Sequence, residues 1–342
     1  MAGKRLGRET VFLANPPAIV GAATVAGPME GKGPLGEYFD VVTEDTLLGE
    51  KTWEKAEVKM LQEAVELAMK KAEVQTGDID FFLAGDLLNQ IIASNFVARK
   101  ISRPYLGLYG ACSTLAEALA VGAMLIDGGF ARYVLAGTSS HHDTAERQFR
   151  YPTEFGVQRP PTSTWTVTGA GAFVLAEGGH GPLITHVTVG KVVDMGQKDP
   201  NDMGSAMAPA AAETIWQHLQ DTGRRATDYD LIVTGDLGRV GKPITEVLLK
   251  KAGYDLSPVY NDCGIMIYDP NQDTHAGGSG TACSALVFGG YVLKEILAGR
   301  YRRVLLVATG ALYSPTSAQQ GESIPGIAHA VAIEAADVVD IP

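Results

Sequence analysis

Cysteine is scarce in this sequence, with only Cys112, Cys263 and Cys283 in 342 residues. So sparse and odd a set excludes a disulfide framework and points to free thiols in a reducing compartment. Cys263 has no partner at metal-ligand spacing, so no metal site is expected. Basic residues are in the minority, 28 Lys+Arg against 39 Asp+Glu, giving a net charge of −11. A nucleic-acid surface needs clustered Lys and Arg, so nucleic acid is not an expected partner. Long apolar runs are missing as well. The most apolar stretch, Cys283 to Leu293, stops at Lys294 and Glu295, short of the ~20 residues that span a bilayer. The opening MAGKRLGRETVFLANPP is charged and lacks an apolar stretch of signal-peptide length. These absences lead us to expect a soluble protein.

Glycine is what the chain has in excess, 40 residues beside 17 prolines. It implies many tight turns and close backbone approaches. The length suits two domains of ordinary size, or one unusually large one, and a sizeable core.

The chain also contains itself twice. Ala111–Thr138 aligns with Ala282–Thr309 without a gap, at an offset of 171 residues that pairs Cys112 with Cys283. Upstream, DIDFFLAGDL (Asp78–Leu87) matches DYDLIVTGDL (Asp228–Leu237) at an offset of 150. Downstream, the strand ending at Glu177 resembles the one ending at Glu334. Three blocks in the same order indicate a duplicated α/β half. In each half an amphipathic helix, Glu54–Lys71 or Ala208–Gln220, precedes a short apolar strand, Phe81–Ala84 or Leu231–Thr234. Uninterrupted apolar strands of this kind suit a parallel sheet covered on both faces. A helix beginning at the cysteine follows, closed by Gly128–Gly129 or Gly299 as C-cap glycines. The seam is GGHGP (Gly178–Pro182), dividing the chain into residues 1–180 and 181–342.

Ala111-Cys112-Ser113 opening a buried helix, Gly169-Ala170-Gly171-Ala172 leading into a strand, and Gly277-Gly278-Ser279-Gly280 in the second half resemble the thiolase and ketoacyl-synthase superfamily. The resemblance implies duplicated βαβαβαββ halves forming a five-layered αβαβα unit. Longer motifs narrow it. AGPMEGKGPLGEYFD (Ala26–Asp40), TAERQFRYPTEFG (Thr144–Gly156), DMGSAMAPAAAETI (Asp202–Ile215) and NDCGIMIY (Asn261–Tyr268) look like the stage V sporulation protein AD family. That likeness implies a protein of endospore-forming bacteria that binds dipicolinic acid, alone or as its calcium chelate, and assists its uptake into the developing spore. It also implies membrane partners encoded in the same operon, peripheral association with the inner spore (forespore) membrane, a homodimer, and no cofactor.

Condensing chemistry needs a thiolate, a base, and donors for an oxyanion. Cys112 stands at the nucleophile position, where a helix N-terminus would favour the thiolate, and the Gly277–Gly280 loop offers backbone N–H groups. The base is the weak point. Initiating ketoacyl synthases keep a histidine and an asparagine after the first strand of the second half, and here those positions read as Gly235 and Gly238. Neither can transfer a proton, and losing a general acid–base group costs roughly 10²–10⁴-fold in rate. His275, before the glycine loop, is the substitute candidate, against a solvated loop histidine. The expectation is a non-catalytic binding protein, the alternative an acyltransferase using Cys112 and His275.

The expected ligand-binding set is Cys112, Ser113, His141, Arg150, Gly278, Ser279 and Ser314. His141 lies in the Ser139–His142 cluster that follows a buried strand, where α/β crevices open, although an exposed polar turn fits as well. Ser314 lies in the matching loop of the second half. Arg150 belongs to Glu146–Tyr151, which mixes arginine forks with aromatic rings suited to a planar dicarboxylate, or else forms a lid or dimer contact.

Overall fold

Two similar chains of strands and helices follow one another in the computed structural model, which describes residues 4–149 and 159–338. The first half runs β1 (Ala18–Ala26), α1 (Trp53–Lys71), β2 (Phe81–Gly85), α2 (Ile92–Ile101), β3 (Tyr105–Gly107), α3 (Thr114–Asp127), β4 (Tyr133–Ser140), α4 (His142–Phe149) and β5 (Gly169–Ala176). The second runs β6 (Leu183–Val189), α5 (Met203–Thr222), β7 (Leu231–Thr234), α6 (Gly238–Lys251) and β8 (Tyr260–Asp262). It continues with α7, made of Thr281–Leu286, a π-helical stretch Val287–Val292 and Leu293–Leu297, then β9 (Arg303–Ala311) and β10 (Gly326–Glu334).

The strand orders are β1-β5-β4-β2-β3 and β6-β10-β9-β7-β8, the same pattern twice. In each half one strand, β5 or β10, runs antiparallel to both its neighbours, so the sheets are mixed where a parallel one is expected. The two sheets meet edge to edge at Ala18 and Leu183. Between them the seam turns through Gly178 and Gly179, at φ +78° and +113°, values open to glycine alone without strain. The N-terminal hairpin, Arg5–Leu6 with Thr10–Phe12, pairs with β6 and so crosses from the first half to the second.

Burial explains the layers. α3 lies between the sheets, against β2 and β4 on one side and β6, β9 and β10 on the other, with α7 beside it on β4 and β5. α1 and α2 cover the outer face of the first sheet, and α5 covers that of the second with α6 against it. One apolar cluster fills the space around α3 and α7, and two more sit under the outer helices. This is the five-layered α/β arrangement.

Local chemistry sets the ends. Thr52 caps α1, its hydroxyl accepting from the Lys55 N–H at 3.4 Å. The stripe that α1 buries includes Met60, Leu61, Ala64 and Ala68, but also Glu57. α5 starts five residues before the expected Ala208, because Asp202 caps it by accepting from the Ser205 N–H at 3.1 Å. Pro209 stands in the second turn of this helix, where it removes the backbone donor to Ser205 and crowds that carbonyl.

Neither central helix begins at its cysteine. α3 starts after Cys112, whereas α7 starts before Cys283, directly after Gly280 at φ +102°. Cys112 therefore sits in the turn ahead of a helix, and Cys283 is fully buried within one.

Candidate functional site

The turn that carries Cys112 is held from several sides. Its hydrogen bonds are local: the Ser113 hydroxyl donates to the Gly110 carbonyl at 2.7 Å, and the Thr114 hydroxyl to the Ala111 carbonyl at 2.7 Å. Ala111 is forced to φ +51°, a left-handed value that costs a non-glycine residue strain and persists only where the surroundings impose it. β9 supplies part of that constraint. A Cβ on Gly310 would lie 2.2 Å from the Gly110 carbonyl oxygen, so the two backbones are in direct contact. The result presents the half-buried Cys112 side chain to an interior cavity.

This cavity measures about 80 Å³. The first half contributes Leu87, Tyr109, Cys112 and, from α4, Ala145, Glu146 and Phe149. Thr164 and Thr166 flank Trp165, whose short strand Trp165–Thr166 pairs with Gly278–Ser279. The second half supplies Met203, Met207, Asp236, Ser279, Gly280 and Tyr313. Among the described lining residues there is no lysine, arginine or histidine.

Asp236 faces Cys112. It follows β7, is 1% exposed, and accepts from the Thr309 hydroxyl at 2.7 Å and the Gly280 N–H at 3.0 Å. The Cys112 thiol is its electrostatic neighbour. Burial pushes the Asp236 carboxyl up to about 7, against these hydrogen bonds and with a smaller push from Asp262. Burial likewise drives the Cys112 thiol well above its ordinary value, and the adjacent Asp236 charge adds to this. The expected helix-dipole activation is therefore reversed: desolvation and a neighbouring carboxylate outweigh a partial charge at the helix end. The resting group is a thiol.

Several expected residues fall elsewhere. Cys112 and Ser279 line the cavity. Ser113 is fully buried, with its hydroxyl turned back onto Gly110. Gly278 is taken up in pairing with Trp165. Ser314 lines a separate outer groove of about 410 Å³, which shares Tyr109, Phe149 and Tyr313 with the inner cavity. His141 is neither pocket-facing nor an exposed turn. It is fully buried, Nε2 lies 2.8 Å from the Thr46 carbonyl oxygen, and Nδ1 accepts from the Asp143 N–H at 3.2 Å. Burial lowers its pKa, which keeps the ring neutral. His142 stacks on Trp165 with ring centroids 3.5 Å apart. His275 stands on the surface side of the glycine loop, with Nε2 3.3 Å from Asp273, and does not line the cavity. Arg150 lies outside the described residues. The stretch before it is helical, not a loop, and Arg147 pairs with Glu54.

The two glycines read as vacated catalytic positions have packing roles. A Cβ on Gly235 would meet the Thr309 backbone nitrogen of β9 at 3.0 Å, and one on Gly238, held at φ +63°, the Ala276 carbonyl oxygen at 2.4 Å. The side chain presented to Cys112 is Asp236, which sequence reasoning passed over. Its signal is the repeat Gly85-Asp86-Leu87 and Gly235-Asp236-Leu237. The twins differ in use. Asp86 accepts from Leu88 and Ser94 at the head of α2, whereas Asp236 reaches across to α7, β9 and Cys112.

Comparison with known proteins decides the family. The family model for Stage V sporulation protein AD (SpoVAD) matches residues 7–334. The chain belongs to the stage V sporulation protein AD family. It is 52% identical over 333 residues to the Stage V sporulation protein AD of Bacillus subtilis, covering 97% of this chain and 98% of that one. It is thus one of a family of sporulation proteins. Its fold is that of condensing enzymes. 3-Oxoacyl-[acyl-carrier-protein] synthase III from Aquifex aeolicus matches with a TM-score of 0.56 at 14% identity, over 93% of this chain and 99% of that chain. OleA from Xanthomonas campestris, solved with bound lauric acid and lauroyl-CoA, matches with a TM-score of 0.60 at 14% identity, over 94% of this chain and all of that chain. Likeness at such identity concerns the fold. Among the described residues no helix is long and apolar enough to cross a membrane, and no group of three His, Cys, Asp or Glu side chains is placed to hold a metal ion.

Proposed function

We propose that this chain is a non-catalytic dipicolinate-binding protein that assists dipicolinate uptake into the developing endospore, with its ligand seated in the cavity at Cys112. The observation that carries the non-catalytic part is the Cys112–Asp236 contact. The cysteine is a protonated thiol whose partner is a carboxylate, and no histidine among the described residues lines the cavity. The ligand class rests on the family motifs. It is supported by a compact site with Tyr109, Phe149 and Tyr313 on its walls. About 80 Å³ falls well below the ~300 Å³ at which pockets for larger ligands begin, which favours a single small ring. On this reading the protein works as a homodimer, peripherally attached to the inner spore membrane beside stage V sporulation membrane proteins of the same operon. Isothermal titration of the full chain with disodium dipicolinate, with and without calcium, tests it. Saturable heat is expected, and no heat together with no thermal shift in either condition overturns it.

A second reading, an acyltransferase with Cys112 as nucleophile, is favoured by the strained turn at Ala111 and the Gly280 N–H beside the sulfur. Incubation with acyl-CoA followed by intact mass measurement separates the two. A Cys112 adduct that turns over establishes the enzyme, and an unmodified chain removes it.

A further inference from the structure

Any carboxylate entering the cavity beside Cys112 would meet Asp236 on its wall, and this side chain is held in place by two donors. The Gly280 N–H, at the head of α7, donates to Asp236 Oδ2 at 3.0 Å. The Thr309 hydroxyl donates to Oδ1 at 2.7 Å, and the Cys112 thiol neighbours the same carboxylate. Asp236 thus sets its own charge on the cavity wall beside Cys112, where an anionic ligand group would meet it. Nothing cationic compensates it among the described lining residues. The titratable groups that face it from neighbouring elements are Cys112 before α3, Asp262 at the end of β8, Cys263 just after it, and Cys283 on α7. Glu146 on α4 and the phenols of Tyr109 and Tyr313 share the cavity. An anion held against an ionised Asp236 would be a like-charge pair in a poorly solvated space, and such pairs keep a proton instead.

We infer that Asp236 is a charge selector: an anionic ligand occupies the cavity only with Asp236 protonated, so that binding takes up one proton from solvent. The proton turns Asp236 from a competitor for the donors into a donor itself. This deepens the binding reading above and rests on it. The carboxyl group titrates at about 7, so the coupling falls in the physiological range.

The test is isothermal titration of the full-length protein with disodium dipicolinate in calcium-free buffer from pH 6 to pH 9, comparing the wild type with Asp236→Asn. The ligand keeps both carboxylates ionised throughout, so the change reports on the protein. Linkage to a single group titrating near 7 predicts that the wild-type Kd rises about 90-fold across this range. For Asp236→Asn it changes less than about threefold. Wild-type heats at pH 8 in buffers of differing ionisation enthalpy should report close to one proton taken up, a readout that needs no variant. Wild-type binding that is independent of pH and takes up no proton overturns the inference while leaving the binding reading intact. Absence of binding at every pH, with calcium added as well as without it, overturns the binding reading, and the inference with it.

Discussion

Glu57 is fully buried on α1, and its protonation state follows from its partners. Oε1 accepts from the Ser139 hydroxyl at 3.0 Å, and Oε2 lies 2.9 Å from the Thr144 hydroxyl. The Thr144 hydroxyl also lies 3.0 Å from the His141 carbonyl oxygen. It has one proton for two acceptors, so a bond to His141 leaves its oxygen free to accept a proton from Glu57. Burial, reinforced by the Asp86 charge, raises the Glu57 carboxyl from 4.5 to about 8. Because the folded pKa lies above the unfolded one, this group's contribution to stability is complete below 4.5 and is lost as pH rises through about 8. At about 1.4 kcal/mol per unit, the ceiling on that loss is about 5 kcal/mol above pH 8.5, and under about 1 kcal/mol applies at pH 5. Glu57→Gln keeps the shape, donates to Thr144, accepts from Ser139 and removes the titration. Thermal unfolding followed by intrinsic fluorescence should show the variant more stable than wild type by roughly 4 °C or more at pH 8.5, and by less than about 2 °C at pH 5. A Tm difference of equal size at the two pH values would refute the argument, as would a variant destabilised at pH 8.5.

Gly310→Ala places a methyl group 2.2 Å from the Gly110 carbonyl oxygen. It should lower stability by about 1–3 kcal/mol in a denaturant titration and weaken ligand binding, whereas Gly77→Ala, with open space around it, should change neither. Cys112→Ala should alter dipicolinate affinity in calorimetry far more than Cys283→Ala, because only Cys112 reaches the cavity. Equal effects would contradict that asymmetry. Burial lowers His218 from 6.5 to about 3, with His186 and Arg224 adding to the effect. The stability that depends on the neutral ring is therefore complete above pH 6.5 and declines as pH falls toward 3. His218→Gln breaks bonds to Thr188 and Tyr229, so it should be costly at pH 8. That cost should shrink by about 3 kcal/mol at pH 4 in urea unfolding, and a cost constant with pH would count against the buried neutral histidine.

Much of the architecture is legible along the chain because it depends on near neighbours. The apolar run Leu231–Thr234 is a strand to the residue. Gly129 and Gly299 close the central helices at φ +74° each. The three repeated blocks report the duplicated fold, since each half buries the same faces. Helix starts are less legible. α5 begins at a capping aspartate that its apolar period does not reveal, and α1 buries Glu57 on a face its apolar residues only approximate.

The site is where local pattern stops being informative. Cys112 and the glycine loop announce themselves by residue type, but which side chain stands opposite the thiol depends on how β7, β9 and α7 converge. A histidine pair at 141 and 142 looks like a ligand cluster until burial places one under Thr46 and the other on Trp165. Short stretches of the chain carry the duplication, the repeated helix–strand–helix series, the acidic charge and the motifs of the family, because period, turn chemistry and composition are local properties. That Asp236, not its flanking glycines, meets Cys112, and that the thiol there is held protonated, follows from the packing of distant elements. Desolvation and hydrogen-bonding at Asp236 involve groups 44, 73 and 124 residues away in the chain, Gly280, Thr309 and Cys112, and their balance exists only once the two halves have closed on each other.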